Sequence, residues 1–365
     1  MIAASAPSQR PADAKLLVLS ASGGLTQAPR AALPQFVRQG DVVVANDAAT
    51  LPASLVGVHQ RSGAAIEVRL AGWLRNRVGD LTRCLAVVFG SGDYRTRTED
   101  RALPPALAAG DRLRLGPLSA TVVELRTPPR LVVLALEGER DALWAGLAQH
   151  GRPVQYAHMR EPLALWDVWT PIAGPPVAFE PPSAGFAVDW RTVASLRRRG
   201  AAWATLTHAA GLSATGDPDL DASLPLPEPY FIAPRTVRAI SRASARGGRV
   251  IAIGTTVVRA LEHAATSGAL RAGHGVADQK IGAATTLRVV DALLTGTHEA
   301  GSSHFELLRA FADDEPLRAM SDALEAHDYK THEFGDSVLI ERPRQPRGAR
   351  RVSDRREARQ EEYSR

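Results

Sequence analysis

Histidines and carboxylates stand where hydrophobic runs give way to turns, and from such positions side chains can do chemistry. His298 and Glu299 are adjacent after the run 285–294, and His304 follows six residues on. An imidazole beside a carboxylate can take or give a proton near neutral pH, which is the work of a general base. His208 follows the run Ala202-Trp203-Ala204-Thr205-Leu206, and Glu228 is the acidic candidate in the segment after it. Asn46 and Asp47 end the run Val42-Val43-Val44-Ala45. That pair could meet a polar ligand or simply form an Asx turn. The spacing of His298, Glu299 and His304 is not that of an HExxH helix and specifies no third ligand, so no metal is expected.

Residues 249–265 read RVIAIGTTVVRALEHAA. The apolar residues Val250-Ile251-Ala252-Ile253 suit a buried strand. Gly254-Thr255-Thr256 breaks the run, and Val257, Val258, Leu261 and Ala265 follow at helical spacing. The first N–H groups of such a helix are unpaired and partially positive, so they favour a phosphate, a carboxylate or a polar ligand edge. The Thr hydroxyls could cap the helix or touch the ligand. Taken alone, the turn also fits an ordinary strand-to-helix connection. Its glycine spacing is not GxGxxG and no Walker lysine follows, which argues against dinucleotide and P-loop sites.

Strands and helices alternate around these turns. Residues 15–20 read as a first strand ended by Ser22-Gly23-Gly24, 31–37 as a weak helix, and Gly40-Asp41 as a turn into the Val42 run. Helices are expected over 139–150, 188–199, 234–245 and 305–312, with Gly200 and Gly247-Gly248 as stops. The run 285–294 reads as a strand or short helix, 266–282 as a loop, and 151–185 as Pro-rich and irregular. In open α/β sheets ligands gather outside the carboxyl ends of strands, where Asn46 and Asp47 would lie. From about residue 58 to 150 the pattern changes. Ile66-Glu67-Val68-Arg69-Leu70 alternates strictly, and further strand-like runs follow with Gly, Pro and Asp between them. This is the mark of an antiparallel barrel or sandwich. No catalytic constellation stands in 58–150.

The 365 residues allow about two domains and a substantial core. A composition 45% hydrophobic and 23% charged belongs to the soluble globular class. The single cysteine, Cys84, excludes an intrachain disulfide and fits a reducing compartment. It precedes an apolar run and is read as a buried, inert thiol. No run approaches the ~18–20 apolar residues of a membrane span, and the N-terminal apolar run reads as a strand, not a signal peptide. The net charge is +5, and residues 342–365, with nine Arg and four acids, carry all of it. That tail is expected to be disordered, and either solvated or held electrostatically on nucleic acid.

The stretch VIAIGTTVVRALE resembles the signature of the S-adenosylmethionine:tRNA ribosyltransferase-isomerases, enzymes of queuosine biosynthesis. Further regions resemble the same family in the same order. In GDVVVANDAATLPASL, Gly40, Asp41, Asn46, Asp47, Pro52, Ala53 and Leu55 match, while Ala48-Ala49 replaces Thr-Arg. In FEPPSAGF, Pro182, Ser183, Ala184 and Gly185 match, while Ala187 stands for a histidine. Aligned on Thr205-Leu206 and Gly211, Thr207 takes the place of another family histidine and His208 falls one residue later. One residue along a strand turns a side chain to the opposite face, so His208 replaces that histidine only if the strand end bulges or turns. Asp291, Ala292, Leu293, Thr295, His298 and Ser302 match the next region, with Gly296 and Thr297 in place of Asn-Phe. Phe334-Gly335-Asp336-Ser337 resembles the closing segment.

The resemblance implies a mixed α+β and α/β fold. A larger, discontinuous α/β catalytic domain would occupy 1–57 and 151–341, a small antiparallel β-barrel domain would be inserted at 58–150, and the basic tail would be 342–365. It implies transfer of the ribosyl moiety of S-adenosylmethionine to 7-aminomethyl-7-deazaguanine in a tRNA anticodon, giving epoxyqueuosine and releasing adenine and methionine. S-adenosylmethionine would be a co-substrate. Its sulfonium acidifies the adjacent carbon, so one general base is needed. His298 or Glu299 is the expected base, with His208 the third catalytic candidate. Asn46, Asp47, Ser183, Gly185, Gly254, Thr255, Thr256 and Asp291 are the expected binding set. Arg259 and the tail are expected to face tRNA phosphates. The partners would be S-adenosylmethionine and tRNA, with no membrane, for a cytoplasmic monomer. The departures at Ala49, Ala187, Thr207, Gly296 and Thr297 leave two other readings open. One is a divergent enzyme using the same donor on another acceptor, and the other is a non-catalytic RNA-binding protein of this fold.

Overall fold

The structure, a computed structural model, describes residues 1–74, 77–128, 130–299 and 301–343. Residues 344–365, most of the expected basic tail, lie outside the described residues.

A nine-stranded mixed sheet carries the site. Its strands are ordered Gly273–Ala277, Glu228–Ile232, Ala202–His208, Val42–Asn46, Val250–Ile253, Ala292–Gly296, Ser337–Glu341, Lys15–Leu19 and Leu25–Pro29. The four strands from Ala202–His208 to Ala292–Gly296 run parallel, and register pairs Leu206 with Asn46, Ala45 with Ile253, and Ile253 with Leu294. Their carboxyl ends therefore stop at one edge. Continuous apolar runs suit these strands because helices cover both faces. Val42 and Val44 join one core with Ile240 and Leu261, from helices Pro234–Ala245 and Thr255–Ala264. Val43 and Ala45 join a second core with Val193 and Leu196 of helix Trp190–Arg198.

The amino edge of the same strands is closed by one arginine between two carboxylates. Asp41 accepts a hydrogen bond from the Arg249 backbone N–H at 2.8 Å and from its guanidinium Nη2 at 2.6 Å. The same guanidinium pairs with Glu341 at the end of the Ser337–Glu341 strand.

Six strands, Ser54–His59, Ala65–Trp73, Arg83–Phe89, Arg112–Leu115, Leu118–Leu125 and Leu131–Glu137, close into an antiparallel barrel. Of the two outcomes open to the alternating pattern, barrel and sandwich, the chain adopts the barrel. Val68, Leu70, Ala86, Val88 and Leu134 fill its core. Cys84 is fully buried there, and removal from water pushes its thiol up to about 12, as an inert thiol requires.

Two stretches differ from the sequence expectation. Residues 266–282, read as a loop, contain the edge strand Gly273–Ala277, which pairs with Glu228–Ile232. Its sequence GHGVA holds one β-branched residue and no alternation, so periodicity carries no signal there. The run 285–294 becomes a strand only from Ala292. The backbone N–H groups of Arg288, Val289 and Val290 instead bond to the Glu262 carboxylate at 2.7, 3.0 and 2.9 Å. Among the described residues no helix is long and apolar enough to cross a membrane.

Candidate active site

A cavity of about 350 Å³ opens at the carboxyl edge of the parallel strands, within the size range of small-molecule sites. Gly254 forms one corner of it. Gly254 has φ +93° and links strand Val250–Ile253 directly to helix Thr255–Ala264. Such a left-handed φ carries no Cβ penalty in glycine. No side chain caps this helix, and Thr255 and Thr256 line the cavity. The amino end of the helix, with its partial positive charge, therefore stands in the cavity wall.

His298 lines the cavity from the turn after strand Ala292–Gly296. Its Nε2 is 2.7 Å from Thr295 Oγ1, and its ring stacks on His304 with centroids 4.9 Å apart. Removal from water, with His304 and His332 nearby, holds its pKa well below the ordinary histidine value. The imidazole is therefore neutral at pH 7 and keeps an unprotonated ring nitrogen. Glu299 is exposed and does not line the cavity, and its backbone carbonyl accepts the Ser302 hydroxyl at 2.8 Å.

His208 also stays off the cavity wall. The strand does not bulge: Thr207 pairs with Phe231 and His208 with Tyr230. Thr207 and His208 consequently face opposite sides. The Thr207 hydroxyl donates to Asp47 Oδ1 at 2.6 Å, while the buried His208 has Nε2 3.4 Å from Glu228 Oε2, without hydrogen-bond geometry. Burial, and then the Arg259 guanidinium, hold its pKa well below the ordinary value.

The expected binding set divides. Ser183, Gly254, Thr255, Thr256 and Arg259 line the cavity, while Asn46, Asp47, Gly185 and Asp291 do not. Asn46 ties the strand ends together. Its Oδ1 accepts from the N–H groups of His208 and Ala48, and its Nδ2 donates to the His208 carbonyl at 2.9 Å. Gly185 serves packing, since a Cβ there would lie 2.9 Å from Thr170 Cγ2. Asp291 precedes its strand and so lies at the opposite, amino edge, where it accepts the Val250 N–H at 2.9 Å. Arg259, expected to face tRNA phosphates, is buried. It pairs with Glu228 and donates to the Ala277 carbonyl at 2.8 Å. Both partners come from the two outermost strands beside it, which the sequence pattern does not bring together.

Glu180 is a wall residue that motif reading passed over. It accepts hydrogen bonds from the Tyr156 hydroxyl and from Ser213. Removal from water raises its carboxyl to about 7, opposed by Ser213 and Tyr156 and reinforced by the charge of Glu333. Glu333 in turn lies 2.8 Å from His158 Nε2, and His158 stacks on His332 with centroids 4.1 Å apart. The only sequence signal was an acidic residue before Pro181-Pro182 in an irregular stretch. Among the described residues no group of three His, Cys, Asp or Glu side chains could hold a metal ion.

Comparison with known proteins returns consistent relatives. The queuosine biosynthesis protein family model matches residues 1–340. The chain is 32% identical over 348 residues to the S-adenosylmethionine:tRNA ribosyltransferase-isomerase of Citrifermentans bemidjiense, covering 93% of this chain and 96% of the relative. It is 33% identical over 318 residues to the protein of the same name from Thermosynechococcus vestitus, covering 84% of each chain. The crystal structure of an S-adenosylmethionine tRNA ribosyltransferase from Thermotoga maritima is similar with a TM-score of 0.49 and 21% identity, over 93% of this chain and 96% of that one.

Proposed function

We propose, from the premise that the chain belongs to the queuosine biosynthesis protein family, that it is an S-adenosylmethionine:tRNA ribosyltransferase-isomerase. The reaction moves the ribosyl unit of S-adenosylmethionine onto the aminomethyl nitrogen of 7-aminomethyl-7-deazaguanine in a tRNA anticodon, and isomerises it to give epoxyqueuosine. Adenine and methionine leave. The observation that carries this reading is the convergence of Ser183, the uncapped helix end at Thr255 and Thr256, and His298 on one cavity at the carboxyl ends of parallel strands.

The donor supplies the ribosyl unit and a sulfonium that acidifies the neighbouring carbon. His298 is the candidate base that stands in the wall, with its imidazole neutral and oriented by Thr295. Thr255 and Thr256 offer hydroxyls and free N–H groups to the polar edges of the donor. His208 and Glu299 stand outside the wall, the first beside the Glu228–Arg259 pair and the second with its backbone carbonyl on the Ser302 hydroxyl.

The test mixes purified protein with S-adenosylmethionine and tRNA carrying 7-aminomethyl-7-deazaguanine, and quantifies adenine and methionine. Equimolar release that requires this tRNA is expected. Release with the donor alone, or with unrelated acceptors, would replace the acceptor assignment, and no release would remove the activity.

A further inference from the structure

The acidic residues of the cavity wall are not alike. Glu228 is neutralised by Arg259, and Glu306 by Arg309. Asp221 accepts the backbone N–H groups of Thr215 and Gly216 at 2.7 and 3.0 Å. Glu180 is held by neutral donors, Tyr156 and Ser213, and makes no ion pair among the described residues. The charged groups around it are few. Glu333 lies behind it, and the Arg69 guanidinium sits over the Tyr156 ring at 5.6 Å. Elsewhere in the cavity wall are Lys280, His298, His304 and the Arg259–Glu228 pair. A carboxylate fixed in a cavity wall without a cation is a site for a cationic ligand group.

We propose that Glu180 binds the primary ammonium of the acceptor nucleobase and takes its proton before ribosyl transfer. This inference rests on the function proposed above. A primary alkyl ammonium, like that of lysine, has a pKa of about 10.4, so at pH 7 it has no lone pair with which to attack. At Glu180 one N–H bond of the ammonium breaks and an O–H bond forms on the carboxylate. The electron pair of the broken bond stays on nitrogen and becomes the nucleophile's lone pair. One cation and one anion become two neutral groups, which suits a site withdrawn from water. The surroundings that raise Glu180 to about 7 match it to proton transfer at neutral pH. The ammonium of the donor keeps its protons throughout, so it needs no partner that titrates near neutrality. The acceptor ammonium does.

The experiment compares wild type and Glu180→Gln in the adenine-release assay on tRNA carrying 7-aminomethyl-7-deazaguanine, from pH 6 to about 9.5. Glutamine keeps the size of the side chain and still accepts the Tyr156 hydroxyl. Wild-type activity is expected to rise through about pH 7 as Glu180 ionises. The variant is expected to lose about 10²-fold at pH 7, with the loss shrinking as pH approaches the amine's own pKa. Glu180→Asp, which keeps a titrating carboxylate, is expected to retain the limb near neutrality at a reduced rate. A Gln variant whose profile has the wild-type shape, at any rate, overturns the inference while leaving the ribosyltransferase reading intact. So does a Glu180→Asp variant shifted to alkaline pH like the Gln variant. A wild type that releases no adenine overturns both.

Discussion

The two edges of the same parallel strands are built on opposite rules. At the amino edge the buried Arg249 guanidinium bridges Asp41 and Glu341, and Asp291 accepts the Val250 N–H and lies 3.6 Å from the Arg342 guanidinium. At the carboxyl edge an ion pair, Arg259–Glu228, also lies in the cavity wall, but Glu180 and His298 stand beside it withdrawn from water, with pKa values moved toward the neutral form. Paired burial fixes the strands in register. Groups held against their solvation preference in a cleft are those that chemistry can use. One end of the sheet thus holds the strands, and the other presents reactive groups.

The largest effect that would break or sharpen this contrast lies at the amino edge. Arg249→Ala leaves the buried Asp41 without its cation and Glu341 with only the exposed Arg38 at 3.8 Å, and is expected to cost about 3–5 kcal/mol, read by chemical denaturation. A loss under about 1 kcal/mol would reduce the cluster to the class of surface pairs. At the carboxyl edge the balance reverses. His298→Ala is expected to leave the denaturation midpoint nearly unchanged and to lower adenine release about 10²-fold. The neighbouring exposed residue supplies the control, because Glu299→Gln is expected to keep wild-type release. Full turnover by His298→Ala would remove it from the mechanism.

The last effect is one of sign. The Glu180 carboxyl is raised from 4.5 to about 7 by folding. Between those values the native state holds a proton that the unfolded state has lost, so stability falls as pH rises from about 4.5 to about 7 and stays lower above it. Below both values the group contributes nothing. Glu180→Gln is therefore expected to be more stable than wild type at pH 8 and equal to it at pH 4, measured by denaturation at each pH. A variant less stable than wild type at pH 8 would contradict the burial argument.

Much of the sheet was legible because its central strands are written as apolar runs with a glycine or polar turn after them. Val42-Val43-Val44-Ala45 and Val250-Ile251-Ala252-Ile253 followed by Gly254 are the clearest cases. The barrel was legible from alternation such as that of residues 66–70. The period-two rule left the place of His208 to whether the strand end bulges; it does not bulge, and His208 turns away from Thr207. What stayed hidden depends on partners from distant segments. Arg259 reads as a surface cation until the strand bearing Glu228 covers it. Glu180 gains its environment from Tyr156 and Ser213, which no local pattern joins to it. Asp291 matched a family motif, yet a residue that begins a parallel strand lies a strand length away from one that follows its end, at about 3.3 Å per residue.

The central claim is that the donor occupies the carboxyl-edge cavity, and one calorimetric titration tests it most directly. Ser183 stands on the cavity wall, and Ser183→Trp would fill much of the space beside it. S-adenosylmethionine titrated into this variant is expected to show no binding, with the wild type binding and the two proteins sharing a denaturation midpoint. Wild-type affinity in Ser183→Trp would place the donor elsewhere and contradict the assignment of this edge to catalysis.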